Sequence, residues 1–150
     1  MVSSANLVLK NCSFSSGNAL EGGAIYIQGE ANVVISGCVF EACTSTTAGG
    51  AISANQFKTL SITDGTVFTM NFSDDQRGDS IMLTSTTTNS SVLFQDIKFQ
   101  SQFQHSFLDI RYLNRLKISR VTIEMTSKPY KTKNQIAAIF LNNVDNILIE

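Results

Sequence analysis

Four side chains suited to acid–base chemistry lie in the middle of the chain: Asp79, His105, Asp109 and Arg111. Asp109 and Arg111 are two residues apart, and residues at that spacing on a β-strand point to the same face. Carboxylates and imidazoles transfer protons when they are held within reach of a bound substrate. The four residues therefore form a candidate catalytic face. The competing interpretation is that Asp109 and Arg111 only pair with each other on a solvated surface.

Positive charge is concentrated in one short segment. Residues 1–110 contain four basic and nine acidic residues, whereas residues 111–133 contain seven basic residues and one acidic residue. The seven are Arg111, Arg115, Lys117, Arg120, Lys128, Lys131 and Lys133. A patch of this kind suits an anionic polysaccharide or an acidic protein surface. The competing interpretation is a solvated loop with no partner.

Three N-glycosylation sequons begin at Asn11, Asn71 and Asn89. Asn89 lies in the polar stretch 84–91, which has no hydrophobic anchor and is expected to bulge from the fold. It is the preferred acceptor. Asn71 is the least favoured, because it follows Phe68 by three residues and is a candidate for an interior position. The sequons favour an extracellular or cell-surface location, and for that reason no nucleic-acid partner is expected.

Two of the three cysteines, Cys12 and Cys38, take equivalent positions in successive repeats, and Cys43 is left over. Rungs of a parallel sheet lie about 4.8 Å apart, which suits the Cα atoms of a disulfide. The Cβ atoms keep nearly the same spacing, however, which is wider than the roughly 3.8 Å that a disulfide prefers. A column of buried thiols is therefore favoured over a disulfide. No Cys/His cluster has metal-ligand spacing, and neither a metal nor another cofactor is expected.

The segments that hold these residues repeat along the chain. Residues 22–25 (Gly-Gly-Ala-Ile) recur at 49–52 and, more weakly, at 78–81. Short segments of alternating apolar residues, such as 7–9 and 12–14, run in phase with them. Alternation with a period of two indicates strands with one buried face. Most corners between these segments end in Asn, Gly or Asp, which tolerate a left-handed backbone, and Arg120 is the exception.

The repeats predict an all-β parallel β-helix solenoid with three short strands per coil. Only 15% of the residues are charged, while 44 of 150 are Ser, Thr or Asn, which argues against a solvated helical bundle. Two inward ladders are expected: Phe14, Phe40, Phe68, Phe99 and Ile123, and Ile25, Ile52, Ile81, Leu108 and Ile139. A third row, Val8, Val34, Leu93 and Leu148, is apolar but faces outward, and it is interrupted by Ser61 and Lys117. This row is a candidate lateral contact surface.

The Gly-Gly-Ala-Ile motifs alternate with Phe68-x-x-Asn71 and its degenerate form Phe40-x-x-Cys43. This combination resembles the polymorphic outer-membrane-protein repeats of bacterial surface adhesins and of large protist surface proteins. More broadly, the chain resembles the right-handed β-helices of the pectin-lyase-like superfamily. The motif proper covers residues 14–81, and later coils keep only the hydrophobic pattern. The resemblance implies a right-handed solenoid, and it also implies the acidic and basic face by which polysaccharide-cleaving β-helices act.

We therefore expect one β-helix segment over residues 1–150, with about four full coils and two partial ones. The coils are expected near 5–21, 22–48, 49–77, 78–105, 106–135 and 136–150. Both ends are expected to continue into flanking coils or further copies of the chain. The expected function is a non-enzymatic structural or adhesive module, fibre-forming or glycan-bearing. The alternative is a fragment of a lyase or hydrolase acting on acidic polysaccharide. No apolar run approaches the roughly 18 residues of a membrane span.

Overall fold

The computed structural model describes residues 6–75, 77–101, 106–125 and 138–150. Over these residues the protein is a parallel β-solenoid of about five turns without helices, which confirms the predicted fold class. His105, Lys128, Lys131 and Lys133 lie outside the described residues, so the predictions made for them stay predictions.

The strands form three parallel sheets. Sheet A contains β1 (Asn6–Lys10), β2 (Ser13–Ser15), β5 (Asn32–Ser36), β6 (Val39–Glu41), β9 (Thr59–Thr63), β10 (Val67–Thr69), β13 (Ser91–Ser101), β15 (Arg115–Met125) and β17 (Asn146–Ile149). Sheet B contains β3 (Asn18–Glu21), β7 (Thr44–Ala48) and β11 (Phe72–Ser73). Sheet C contains β4 (Ile25–Gln28), β8 (Ile52–Asn55), β12 (Ile81–Thr84), β14 (Leu108–Arg111) and β16 (Ile139–Asn142).

Sheet A has two panels that meet at a corner. The long strands β13 and β15 run through this corner at Asp96 and Arg120. The first panel consists of β1, β5, β9, the first halves of β13 and β15, and β17. The second panel consists of β2, β6, β10 and the second halves of β13 and β15. Each turn of the solenoid therefore presents separate outer surfaces on which functional groups are kept apart.

Both predicted inward ladders are present in register. Phe14, Phe40, Phe68 and Phe99 stack with ring centroids 5.0, 4.9 and 5.1 Å apart. Ile123 pairs with Phe99 in register as the last rung, and it is 37% exposed. The second ladder pairs Ile25, Ile52, Ile81, Leu108 and Ile139 in successive strands of sheet C. Burial of such rungs contributes roughly 1.5–3 kcal/mol per fully buried side chain. The core also contains the inward residues of the first panel, among them Ile35, Ile62 and Phe94.

The Gly-Gly motif is explained by two backbone requirements. Gly49 adopts a φ of 61°, in the left-handed region that glycine enters without strain. Gly50 lies so close to the next coil that an added Cβ would be 2.5 Å from the carbonyl oxygen of Phe72. The first glycine therefore turns the chain, and the second lets sheet C approach sheet B.

Sheet B was not predicted from the sequence. Its inward positions in successive coils are Ala19, Ser45 and Ser73, which lack the large apolar side chains that mark a buried strand. The close approach of the glycines leaves room only for small residues there. The first three coils consequently have four short strands each.

Candidate functional site

Asp109 and Arg111, which belong to the predicted catalytic face, are paired on the outer side of sheet C. Arg111 Nε donates to Asp109 Oδ1, and Arg111 Nη2 donates to Asp109 Oδ2, both at 2.7 Å. The hydrogen bond with Asp109 raises the pKa of Arg111 above its ordinary value. The guanidinium carbon also lies 5.2 Å from the centroid of Phe140 on the next strand. Both carboxylate oxygens of Asp109 are thus engaged.

The two residues pair as the competing interpretation expected, but its expectation of a solvated carboxylate is wrong. Asp109 is only 2% exposed. Its neighbours in the outward row of sheet C, Ser53 and Met82, are buried as well, at 3% and 8%. The outward orientation of Asp109 was predicted correctly, but orientation alone did not predict its burial.

Asp79 does not join Asp109 in a common face. It takes the position of Gly50 in the repeat, it is buried, and its Oδ1 accepts a 3.4 Å hydrogen bond from the backbone N–H of Ser73. Its carboxylate is therefore turned towards sheet B, whereas that of Asp109 lies outside sheet C. Of the three residues of this predicted face that the structure describes, Asp109 and Arg111 are brought together and Asp79 lies apart from them.

The described basic residues of segment 111–133 are dispersed over different surfaces. Arg111 lies on sheet C, Arg115 and Lys117 lie on the first panel of sheet A, and Arg120 lies at the corner of sheet A. Lys117 Nζ is 2.9 Å from Glu150 Oε2, and Arg120 forms a bidentate pair with Asp96. The Arg120 hydrogen bonds hold the pKa of Asp96 below its ordinary value. The four described cations therefore do not form the single patch that was expected, and three of them, Arg111, Lys117 and Arg120, have carboxylate partners.

Arg115 is the exception. Its side chain is exposed, and none of the carboxylates in the described ranges lies within 4.0 Å of it. Its in-register neighbours are Ser91 on β13 and Asn146 on β17, which are both uncharged.

A groove of about 690 Å³ runs over the outer face of the first panel and includes Arg115. Two outward rows line it: Thr59, Ser91, Arg115 and Asn146, and beside them Ser61, Leu93, Lys117 and Leu148. The second row belongs to the apolar outward set that the sequence singled out. The groove therefore combines hydroxyl groups, aliphatic surface and one cation without a carboxylate partner.

The three sequons have different environments. Asn71 is buried; its Nδ2 donates to Phe40 O at 3.1 Å, and its Oδ1 accepts from the Cys43 N–H at 2.9 Å. The folded chain leaves no room for a glycan on that nitrogen, in agreement with the interior position for which the sequence made Asn71 the least favoured acceptor. Asn11 and Asn89 are exposed.

The stretch that holds Asn89 is anchored, contrary to expectation. Ser85 Oγ donates to Phe57 O at 2.8 Å, and Ser90 Oγ accepts from the Asn114 N–H at 3.3 Å. Both serines are buried, while Asn89 between them is exposed with a φ of 65°. The prediction considered only hydrophobic anchors, whereas hydrogen bonds made by two buried serines hold this stretch in place.

The cysteines are free thiols, as the sequence favoured. Cys38 Sγ accepts a 3.4 Å hydrogen bond from the Cys12 N–H. In the next coil Thr66 Oγ1 accepts from the Cys38 N–H at 3.3 Å. At this position the side chain of each coil therefore accepts a hydrogen bond from the backbone N–H of the equivalent residue in the preceding coil.

No group of His, Cys, Asp and Glu residues in the described part of the chain has an arrangement that would hold a metal ion. A search of the same residues finds no helix with the length and apolar character needed to cross a bilayer. Comparison with protein-family models, curated proteins and solved structures gives no match for this chain.

Proposed function

We propose that the chain is a non-enzymatic structural or adhesive module of a secreted or cell-surface protein. The observation that carries this proposal is the unbroken first panel of sheet A, in which six strands pair in one parallel register. Solenoid stability is the sum of such neighbour interfaces, and a continuous stack acts as a stiff support for surface groups.

The exterior fits this role. Outward positions of the first panel are rich in Asn, Thr and Ser, and some of them form ladders across coils. Asn32 Nδ2 donates to Asn6 Oδ1 at 3.1 Å, and Thr59 Oγ1 donates to Asn32 Oδ1 at 2.9 Å. The exposed sequons at Asn11 and Asn89 support glycan attachment and an extracellular location.

Flanking β-helix coils or further copies of the chain are the proposed partners. The last described strand, β17, leaves Ile147 and Ile149 exposed at 46% and 67%. An exposed apolar strand at the edge of a sheet favours pairing with another strand.

The pairing of Asp109 argues against the alternative, a polysaccharide lyase or hydrolase. A general acid or base must exchange a proton with the substrate, and both Asp109 oxygens are held by Arg111 in a buried position. No second observation on the described residues favours cleavage.

The deciding experiment is an incubation of the purified chain with pectic and other uronic polysaccharides. We expect neither new reducing ends nor unsaturated ends. Cleavage that is lost in Asp109→Asn, but kept in the exposed control Glu41→Gln on the second panel of sheet A, would overturn the structural assignment and establish the enzymatic one. Electron microscopy of the same sample then tests for elongated particles.

A further inference from the structure

We propose that the groove on the first panel of sheet A binds a polysaccharide that carries carboxylate or sulfate groups, with Arg115 as the residue that holds the anion. This inference deepens the proposed adhesive function and rests on it. The site lies on a different sheet from the Asp109–Arg111 pair, so binding there requires no catalytic group.

The charge of the groove favours an anionic group at Arg115. The other charged groups of the groove have partners of their own. Lys117 Nζ lies 2.9 Å from Glu150 Oε2, and Asp145 Oδ2, at the rim, accepts a 3.4 Å hydrogen bond from Asn114 Nδ2. Arg115 has neutral neighbours on both sides and no carboxylate partner among the described residues. A guanidinium offers paired donors that match the geometry of a carboxylate or a sulfate-like anion.

The remaining lining suits the other parts of a sugar chain. Leu93 and Leu148 lie on either side of Lys117 in one outward row and provide aliphatic surface for the C–H faces of sugar rings. Ser61 and Ser91 supply hydroxyl groups that both donate and accept hydrogen bonds, and the Thr59 hydroxyl, which donates to Asn32, can still accept one. The four strands under the groove span roughly 14 Å at the spacing of a sheet, which accommodates an oligosaccharide.

A peptide partner fits this surface less well. Extended peptides usually bind by adding a strand to a free sheet edge, where main-chain groups are unpaired. The groove lies over the face of β9, β13, β15 and β17, where β9, β13 and β15 are paired on both sides; the unpaired edge of β17 lies at the margin of the groove and not along its floor. Recognition must therefore come from side chains, and these are hydroxyl, aliphatic and cationic groups.

The test measures binding by calorimetry of oligogalacturonate, dextran sulfate and unsubstituted dextran of matched length. We expect the two anionic polymers to bind, with affinity that falls as salt is added, and unsubstituted dextran not to bind. The relative affinity of oligogalacturonate and dextran sulfate identifies which anion the groove prefers.

Arg115→Glu should weaken anionic binding by about tenfold or more. Lys10→Glu makes the same change of charge outside the groove and should leave binding within about twofold. Leu93→Trp, which narrows the groove without changing charge, should also weaken binding. Circular dichroism establishes that each variant is folded.

Equal binding of unsubstituted dextran, or equal effects of Arg115→Glu and Lys10→Glu, would overturn the inference. Absence of binding together with absence of cleavage would refute the groove site and leave the structural module intact. Cleavage of a bound oligosaccharide would instead refute the proposed function.

Discussion

Asp96 and Arg120 occupy the same corner of successive coils, and each adopts a left-handed backbone, with φ values of 53° and 50°. Arg120 Nη2 donates to Asp96 Oδ2 at 2.7 Å, and Nε donates to Oδ1 of the same carboxylate. Asn, Gly and Asp are suited to such a corner, and arginine is not. The ion pair across coils offsets part of the strain of placing arginine there.

The corner carboxylates predict a loss of stability in acid. Hydrogen bonds from Arg120 hold the pKa of Asp96 below its ordinary value, and those from Ser36 and Thr63 do the same for Asp64. As the pH falls, the unfolded chain binds protons first, so this stability is full above the ordinary carboxyl pKa of about 4 and declines below it.

Melting temperatures between pH 7 and pH 2 measure this effect. We expect the melting temperature of Asp96→Asn to depend less steeply on pH below about 4 than that of the unmodified chain. Asp145→Asn, which removes an exposed carboxylate outside the corner, should keep the original slope. If the melting temperatures of all three proteins depended equally on pH, the lowered pKa of Asp96 would be contradicted.

Asp109→Ala should destabilise the fold by about 1–3 kcal/mol, because it leaves Arg111 half-buried without its carboxylate. Asp145→Ala, at an exposed position, should change stability by about 0.5 kcal/mol at most. Urea unfolding of the two variants makes the comparison. Equal midpoints would mean that the buried pair contributes nothing.

Phe68→Ala should cost about 3–5 kcal/mol, since it removes a ring stacked between Phe40 and Phe99 and leaves a cavity between two coils. Thr69→Ala, one residue along the same strand but facing outward, serves as the control with an expected change near 0.5 kcal/mol. Thermal unfolding followed by circular dichroism distinguishes them. A small effect of Phe68→Ala would contradict the stacked core.

Expression through a secretory pathway should give glycosylation at Asn89 and none at Asn71. The Asn71 amide is occupied by Phe40 and Cys43 in the interior, whereas Asn89 is exposed between its serine anchors. Peptide mapping by mass spectrometry, with Asn89→Gln as the control, measures occupancy. A glycan on Asn71 of correctly folded protein would contradict the buried position of this residue.

Cys12 should react with a maleimide in the native state, while Cys38 and Cys43 should react only after unfolding. Cys12 is partly exposed, and the other two are completely buried. Labelling of one thiol per native chain, abolished in Cys12→Ser, is the expected result. If no thiol reacts in the native state but all three react after denaturation, the exposure of Cys12 is contradicted. If a disulfide is present, fewer than three thiols will react after denaturation.

The sequence by itself determined the coil, its register and the inward ladders. Alternation with a period of two identifies the inward face of each strand, and a recurring Gly-Gly aligns one coil with the next. Phe68 and Ile81 were placed correctly for this reason. The same reasoning placed Asp109 and Arg111 on one face, because two residues on a strand share a side whatever surrounds them.

Only the tertiary structure decided which outward groups are buried, paired or available. Asp109 is buried although it points outward from sheet C, and Arg120 and Lys117 are paired with Asp96 and Glu150, each from a neighbouring coil. Partners so distant along the chain leave no mark in local periodicity. Arg115 stands apart from the other described cations of its segment because its neighbours across the sheet are Ser91 and Asn146, a relation that exists only once the coils are stacked.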